Sequence, residues 1–217
     1  PAGVFFGVKS IIGNGCVVDP EKLQQEIDYL ESHGIPVKEN LRIASNAHVI
    51  TPLHKAEDST EEKIGTTRTG NGPAYRDKYN RTGVRACDIP SLSPFLIDIY
   101  EELAGDSVIL MEGAQGFWLD PDWGDYPYVT SSHTGTAAAI QNGINPRSIR
   151  NVWGVIKAYE TYVGKRAFQP DEEVFERIQK AGQEFGATTA RVRQCNWINL
   201  KEIEQAITMN GVNRLVV

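Results

Sequence analysis

Helix-starting signals and short apolar runs take turns along this chain, and that alternation limits the folds open to it. Asp19-Pro20 reads as an N-cap followed by proline at the first helical position. Leu23, Ile27 and Leu30 then share one helical face, and Gly34 marks the stop. Ser93-Pro94 repeats the start signal, with Leu96, Tyr100 and Leu103 on one face and Gly105 at the end. A helix is expected from Asp171 with Val174, Ile178 and Ala181 inward. Another follows Asn199, which pairs with Glu202 as a cap. Between these lie runs of strand character: Val108 to Met111, continuously apolar as in a strand covered on both faces; Asn151 to Val163; and the closing "RLVV". Strands alternating with helices predict an α/β fold with a mostly parallel central sheet and flanking helices. A chain that opens without a clear first element and closes inside a strand reads as the central part of one domain, residues 1–217, truncated at both ends.

Bulk properties exclude several functions. The chain has 217 residues, 41% hydrophobic and 23% charged, with a formal charge of -6. No long Lys/Arg run is present, which disfavours a general nucleic-acid or membrane-surface role. No apolar stretch approaches the roughly 18–20 residues that span a bilayer, and no signal peptide is visible. Cys16, Cys87 and Cys195 are odd in number and lack CxxC spacing, so a reducing, cytoplasmic setting is expected.

Three segments are rich in small polar groups. In "IGTTRTGNGPAYRDKYNRTG", Gly65, Gly70 and Gly72 let a ligand approach the backbone. Thr66 and Thr67 offer hydroxyls, and Arg81 a planar fork suited to phosphate; a glycine-rich turn with a solvated arginine is the plainer alternative. In "EGAQGFWLDPDWGDYPYVTSS", Gln115 can accept and donate at a purine edge, and Thr130, Ser131 and Ser132 bring uncharged donors for phosphate. Asp120, Asp122 and Asp125 lack the glycine and terminal glutamate of a calcium loop and are better read as structural or solvated acids. In "EFGATTARVRQCNW", Thr188 and Thr189 precede Arg191 and Arg193. Residues two apart in an extended segment face the same way, so one pocket can receive both guanidiniums. No GxxxxGK[ST] motif occurs, since Gly164-Lys165 lacks its flanks. His33, His48, His54 and His133 show no metal spacing, and no metal ligand is assigned.

Together, "SIIGNGCVVDPEKL", "GTTRTGNGPAYRDKYNR", "EGAQGFWLD", "YPYVTSS", "IKAYETYVG" and "EFGATTARVR" resemble the adenylosuccinate synthetase family, in the family's order and over nearly the whole chain. The resemblance implies a P-loop-NTPase-like fold and a cytoplasmic ligase of purine biosynthesis. Such an enzyme joins L-aspartate to IMP with GTP and Mg²⁺, through a phosphorylated purine 6-oxygen. It implies that Thr67, Gln115, Thr130 and Arg191 hold the nucleotide. Arg81 would reach the nucleotide of the neighbouring subunit in a homodimer. The loop Ala187, Thr188, Thr189, Ala190, Arg191, Val192 and Arg193 would receive aspartate, with Arg193 also near the triphosphate. Catalytic residues and metal ligands would lie upstream of Pro1, so inactivity of these residues alone is expected. Thr69, Ala190 and His133 depart from the family pattern, and the spacer between Arg81 and Glu112 is short. Those departures admit a phage-type relative acting on dGMP, with ATP in place of GTP, to give 2-aminoadenylosuccinate. An inactive nucleotide-binding or dimerisation fragment is a further alternative.

Overall fold

The computed structural model describes residues 2–105, 107–186 and 190–217. They fall into two compact units: Pro1–Thr60 with Arg68–Gly113 and Ala138–Ser148, and Glu61–Thr67 with Ala114–Ala137 and Ile149–Val217.

In the first unit the chain runs β1 (Ser10–Ile12), β2 (Val17–Val18), α1 (Pro20–Ser32), α2 (Val37–Asn40), β3 (Leu41–Ala44), β4 (His48–Val49), α3 (Pro52–Ser59), α4 (Asn71–Asn80), β5 (Leu96–Ile97), α5 (Ile99–Leu103) and α6 (Ala137–Gln141). Strand β3 lies between β1 and β5, parallel to both, with Ser10 opposite Leu41 and Ile43 opposite Leu96; β2 pairs β4, also parallel. Asp19 caps α1 as its sequence requires, its carboxylate accepting from the N–H groups of Glu21 and Lys22. Leu23 and Ile27 are then buried in one core with Leu41, Ile43 and Phe95.

Helix α4 is entered through Gly70, at φ 84°. Its N–H donates to the buried carboxylate of Asp58 at 2.8 Å. A Cβ there would sit 2.8 Å from Ile50 Cγ2 and 2.9 Å from Lys55 N. Gly70→Ala is therefore expected to cost roughly 2 kcal/mol from left-handed strain and overpacking, read as a lower urea midpoint; an unchanged midpoint would show that the turn relaxes freely.

The second unit holds β6 (Trp153–Val155), β7 (Glu160–Tyr162), α7 (Glu173–Ala181), β8 (Gln194–Asn196), α8 (Leu200–Asn210) and β9 (Arg214–Val216). β6 pairs β9 in parallel and β7 pairs β8 antiparallel. Asn199 caps α8 as expected, accepting from Glu202 N while its amide donates to Glu202 Oε1. Phe175, Cys195 and Tyr162 are buried. The described residues thus form an α/β fold with mostly parallel pairing. Among them no helix is long and apolar enough to cross a membrane.

Three expectations are corrected. Val108 to Met111 form no strand, and Val108 and Leu110 are 100% and 90% exposed. An apolar run becomes a buried strand only where other strands pair its backbone, and no described strand pairs this one. Ser93-Pro94 does not start a helix. Those residues belong to a 3₁₀ turn, Leu96 joins β5, and α5 begins where Asp98 accepts from Tyr100 N at 2.8 Å. The helix expected at Asp171 starts at Glu173; Val174 and Ile178 are half-buried on its inner side as expected, but the fully buried residue is Phe175 and Ala181 is exposed.

Candidate functional site

Of the residues singled out in the sequence, Thr67, Gln115, Thr130, Ala190, Arg191, Val192 and Arg193 all belong to the second unit, and Arg81 to the first. Ala187, Thr188 and Thr189 lie outside the described residues.

The loop bearing Thr66 and Thr67 is built on a carboxylate. Glu61 accepts from the backbone N–H groups of Lys63, Ile64, Gly65 and Thr66 at 2.6–3.4 Å. Burial opposes its ionisation, but these four bonds outweigh that and hold the carboxyl below its usual range. Gly65 stands at φ 76°, and a Cβ there would meet Lys165 Cγ at 3.0 Å and Arg191 Nη1 at 3.4 Å. The bare backbone is what lets two cationic side chains close on this loop: Arg191 Nη1 donates to the Gly65 carbonyl at 2.8 Å and Lys165 Nζ to the Glu62 carbonyl, while the backbone N–H of Lys165 donates to the Ile64 carbonyl at 3.3 Å.

The segment from Ala114 to Ala137 turns on Asp120, which is 2% exposed. Its carboxylate accepts from Asp122 N at 3.0 Å and Thr134 N at 2.8 Å, and Thr130 N donates to the Leu119 carbonyl at 2.8 Å. Thr130 is thereby fixed and half-buried, while Gln115 is exposed with φ 63°. Asp125 leaves this cluster and pairs with Arg166, Nη1 to Oδ2 2.7 Å, whose guanidinium lies 4.8 Å from the Tyr162 ring centre and 5.1 Å from that of Phe168.

Residues 184–186 and 190–193 form a stem. Arg193 N donates to the Glu184 carbonyl, Gly186 N to the Arg191 carbonyl, and Phe185 bridges Val192. Ala190 adopts φ 52°, a conformation in which a Cβ is disfavoured. Glu184 is 3% exposed. Its Oε1 accepts from Lys157 Nζ and Tyr159 Oη, both at 2.6 Å, and its Oε2 from Arg193 Nη1 at 2.9 Å. Burial works against the charge, but the bonds from Lys157, Tyr159 and Arg193 prevail and bring the carboxyl down to about 2. The bond to that carboxylate, with burial adding to it, pushes the Tyr159 hydroxyl up to about 12.

The second unit therefore ties its polar loops in series. The threonine loop touches Lys165 and Arg191, and the next residue along, Arg166, holds the loop of Gln115 and Thr130 through Asp125. Arg191 and Arg193 each have one donor fixed on the protein, Nη1 of the first on the Gly65 carbonyl and Nη1 of the second on Glu184. Val192 lines a cavity of about 370 Å³ with Gln179, Glu184 and Phe185. Arg81 ends α4 at φ 66° and is exposed. Asp120, Asp122 and His133 bring three candidate metal-ligand atoms within 4.8 Å of one another. His133 Nδ1 lies 3.4 Å from Asp120 Oδ2, and both Asp120 oxygens already accept backbone N–H bonds.

Sequence reasoning passed over Lys165, Arg166 and Glu184. For the basic pair a signal existed: adjacent cations in a turn flanked by Tyr162 and Phe168. For Glu184 there was none, since a glutamate beside a phenylalanine does not announce burial.

The model of the adenylosuccinate synthetase family matches residues 1–103 and 91–217. The adenylosuccinate synthetases of Caldicellulosiruptor bescii and Caldanaerobacter subterraneus are each 37% identical over a 275-residue alignment that covers 100% of this chain and 64% of the relative. The chain thus spans somewhat under two thirds of the curated relatives it matches. The structure of fully ligated adenylosuccinate synthetase from Plasmodium falciparum superposes with a TM-score of 0.88 at 28% identity, covering 99% of this chain and 63% of that one. Cyanophage S-2L succinoaminodeoxyadenylate synthetase, solved with dGMP and dATP, superposes with a TM-score of 0.79 at 24% identity over 96% of this chain and 65% of that one, a likeness of fold. With the motifs, the fold and a family model matched along its whole length, the chain belongs to the adenylosuccinate synthetase family.

Proposed function

We propose that these residues form the purine-nucleotide and amino-acid cradle of a ligase that condenses L-aspartate with IMP, driven by GTP through a 6-phosphoryl purine intermediate. The observation that carries the reading is the 2.8 Å contact of Arg191 with Gly65. It supports a single cradle by bringing the arginine of one polar segment onto the threonine loop 126 residues away. In this reading Thr67, Thr130 and Arg191 hold the nucleotide, Gln115 meets the purine edge, and the loop 187–193 receives the amino acid. Arg193 lies toward the triphosphate, and Arg81 serves the neighbouring protomer of a homodimer. Phosphoryl transfer to an oxygen depends mostly on positioning and charge neutralisation, and hydroxyls with two guanidiniums supply both for a ligand of several anionic groups.

Mg²⁺ accompanies the triphosphate in this reading. It takes an all-oxygen shell, which the imidazole of His133 and the engaged carboxylate of Asp120 do not match, so no step is assigned to that cluster.

The test is calorimetric titration of the full gene product with IMP and with dGMP. Arg191→Ala removes charge-assisted bonds worth ~1.5–3 kcal/mol each, so nucleotide affinity is expected to fall about 10- to 100-fold. Unchanged affinity would remove Arg191 from the cradle, and a preference for dGMP over IMP would transfer the assignment to the phage-type reaction.

A further inference from the structure

We infer that Glu184 is the positioning residue of the 184–193 loop, setting the direction of Arg193 and the register of Arg191 for the incoming dicarboxylate. The inference rests on reading that loop as the one that receives aspartate.

The loop is closed twice at one place. Glu184 and Arg193 are joined through their backbones, Arg193 N to Glu184 O at 2.9 Å, and through their side chains at 2.9 Å. Two residues further in, Gly186 N donates to Arg191 O at 2.7 Å. Gln179 ties the same stem to α7, its amide donating to the Arg193 carbonyl at 2.8 Å. A guanidinium has five N–H donors in a rigid plane. Fixing Nη1 on Glu184 therefore fixes the plane in which the other donors point. Lys157 and Tyr159, just ahead of β7, grip the opposite oxygen at 2.6 Å each. The carboxylate therefore transmits the position of that strand's leading segment to the loop. Glu184 itself is a poor candidate for touching an anionic ligand, because a buried carboxylate repels one.

The consequence is asymmetric. Losing the Glu184 charge leaves the fold's backbone pairing in place but frees Arg193 to turn, and leaves Lys157 and Arg193 without the anion between them. Binding of the amino acid is then weakened more than the chemical step once it is bound.

The experiment is steady-state kinetics of the full gene product with aspartate varied at saturating nucleotides. Glu184→Gln is expected to raise the aspartate KM by about tenfold or more, the equivalent of one lost charge-assisted bond, with kcat changed far less. Glu184→Asp, which keeps the charge, should recover part of that loss. Tyr159→Phe removes one bond to the same carboxylate and should raise KM by a smaller factor; it decides the matter if Glu184→Gln does not fold. A wild-type aspartate KM in the folded variants, with only a lowered Tm, would overturn the inference. Arg191→Ala run alongside separates the two levels. If it too leaves the aspartate KM unchanged, the reading of the loop has failed; if it raises KM while the Glu184 and Tyr159 variants do not, only the positioning role has.

Discussion

Phe175→Ala is expected to destabilise the second unit by about 3–5 kcal/mol, the range for truncating a fully buried phenylalanine. Phe175 is 0% exposed on α7, and its ring meets that of Trp197 edge-on, with centroids 5.1 Å apart and planes at 70°. Alanine removes both the apolar area and the partner of that aromatic contact, and α7 cannot collapse into the gap while Gln179 holds it to the Arg193 carbonyl. At roughly 2–4 °C per kcal/mol for a chain of this size, the unfolding midpoint should drop by about 10 °C. Tryptophan fluorescence in a urea or thermal melt checks this, since Trp197 reports on the site. Phe185→Ala is the control. That side chain is 52% exposed, and truncation should shift stability by less than ~1 kcal/mol. Equal effects from the two variants would mean that Phe175 does not anchor this unit.

The same residue shows where the sequence ran out. A helix was expected from Asp171 with Val174, Ile178 and Ala181 inward. The helix in fact begins at Glu173. Val174 and Ile178 are half-buried, so the expected face was nearly right, but its centre lies at Phe175, about 100° round the helix from Val174, and Ala181 falls outside it. Helices whose capping groups act within four residues were legible, as at Asp19-Pro20 and Asn199-Glu202, because the chemistry that stops or starts them is local. The sheet of β1, β3 and β5 was not. Three or four residues such as Ser10–Ile12 carry too little periodicity, and their pairing spans up to 53 positions between Ile43 and Leu96. Val108 to Met111 failed for the opposite reason: the apolar pattern was clear, but pairing depends on a neighbour that the pattern cannot supply.

At the site, residue types were legible and partners were not. Glycine, threonine and arginine marked the loops around Thr67, Thr130 and Arg191, and the resemblance ordered them. That Gly65 is bare because Arg191 and Lys165 press on it follows only from the folded chain. So does the finding that Arg193 is spoken for by Glu184. Ala190 illustrates a half-legible position: its departure from the family pattern was visible, but its cost, a left-handed conformation with φ 52°, was not.

Glu184 also makes the stability of the second unit depend on pH. Its folded-state carboxyl lies at about 2, against an ordinary value of 4.5. A depressed pKa contributes stability that is complete above the unfolded value and is lost as pH falls through the folded one. The window is therefore from about pH 4.5 down to about pH 2. The shift corresponds to stabilisation on the order of 3 kcal/mol at neutral pH. Glu61 and Asp77 act in the same direction, both held below the usual range, so the wild-type curve alone does not isolate Glu184. The comparison with Glu184→Gln does, because the other carboxylates are common to both proteins. At pH 7 the variant should be the less stable by roughly that amount, since Lys157 and Arg193 then face each other across an uncharged amide. As pH falls toward 2 the wild-type carboxylate takes up its proton, and the two unfolding free energies should converge. Urea melts at pH 7, 5, 4, 3 and 2.5 measure the gap. A gap that stays constant across the series would mean that Glu184 contributes shape and not charge, and that its bonds to Lys157, Tyr159 and Arg193 are no stronger than those of a neutral group.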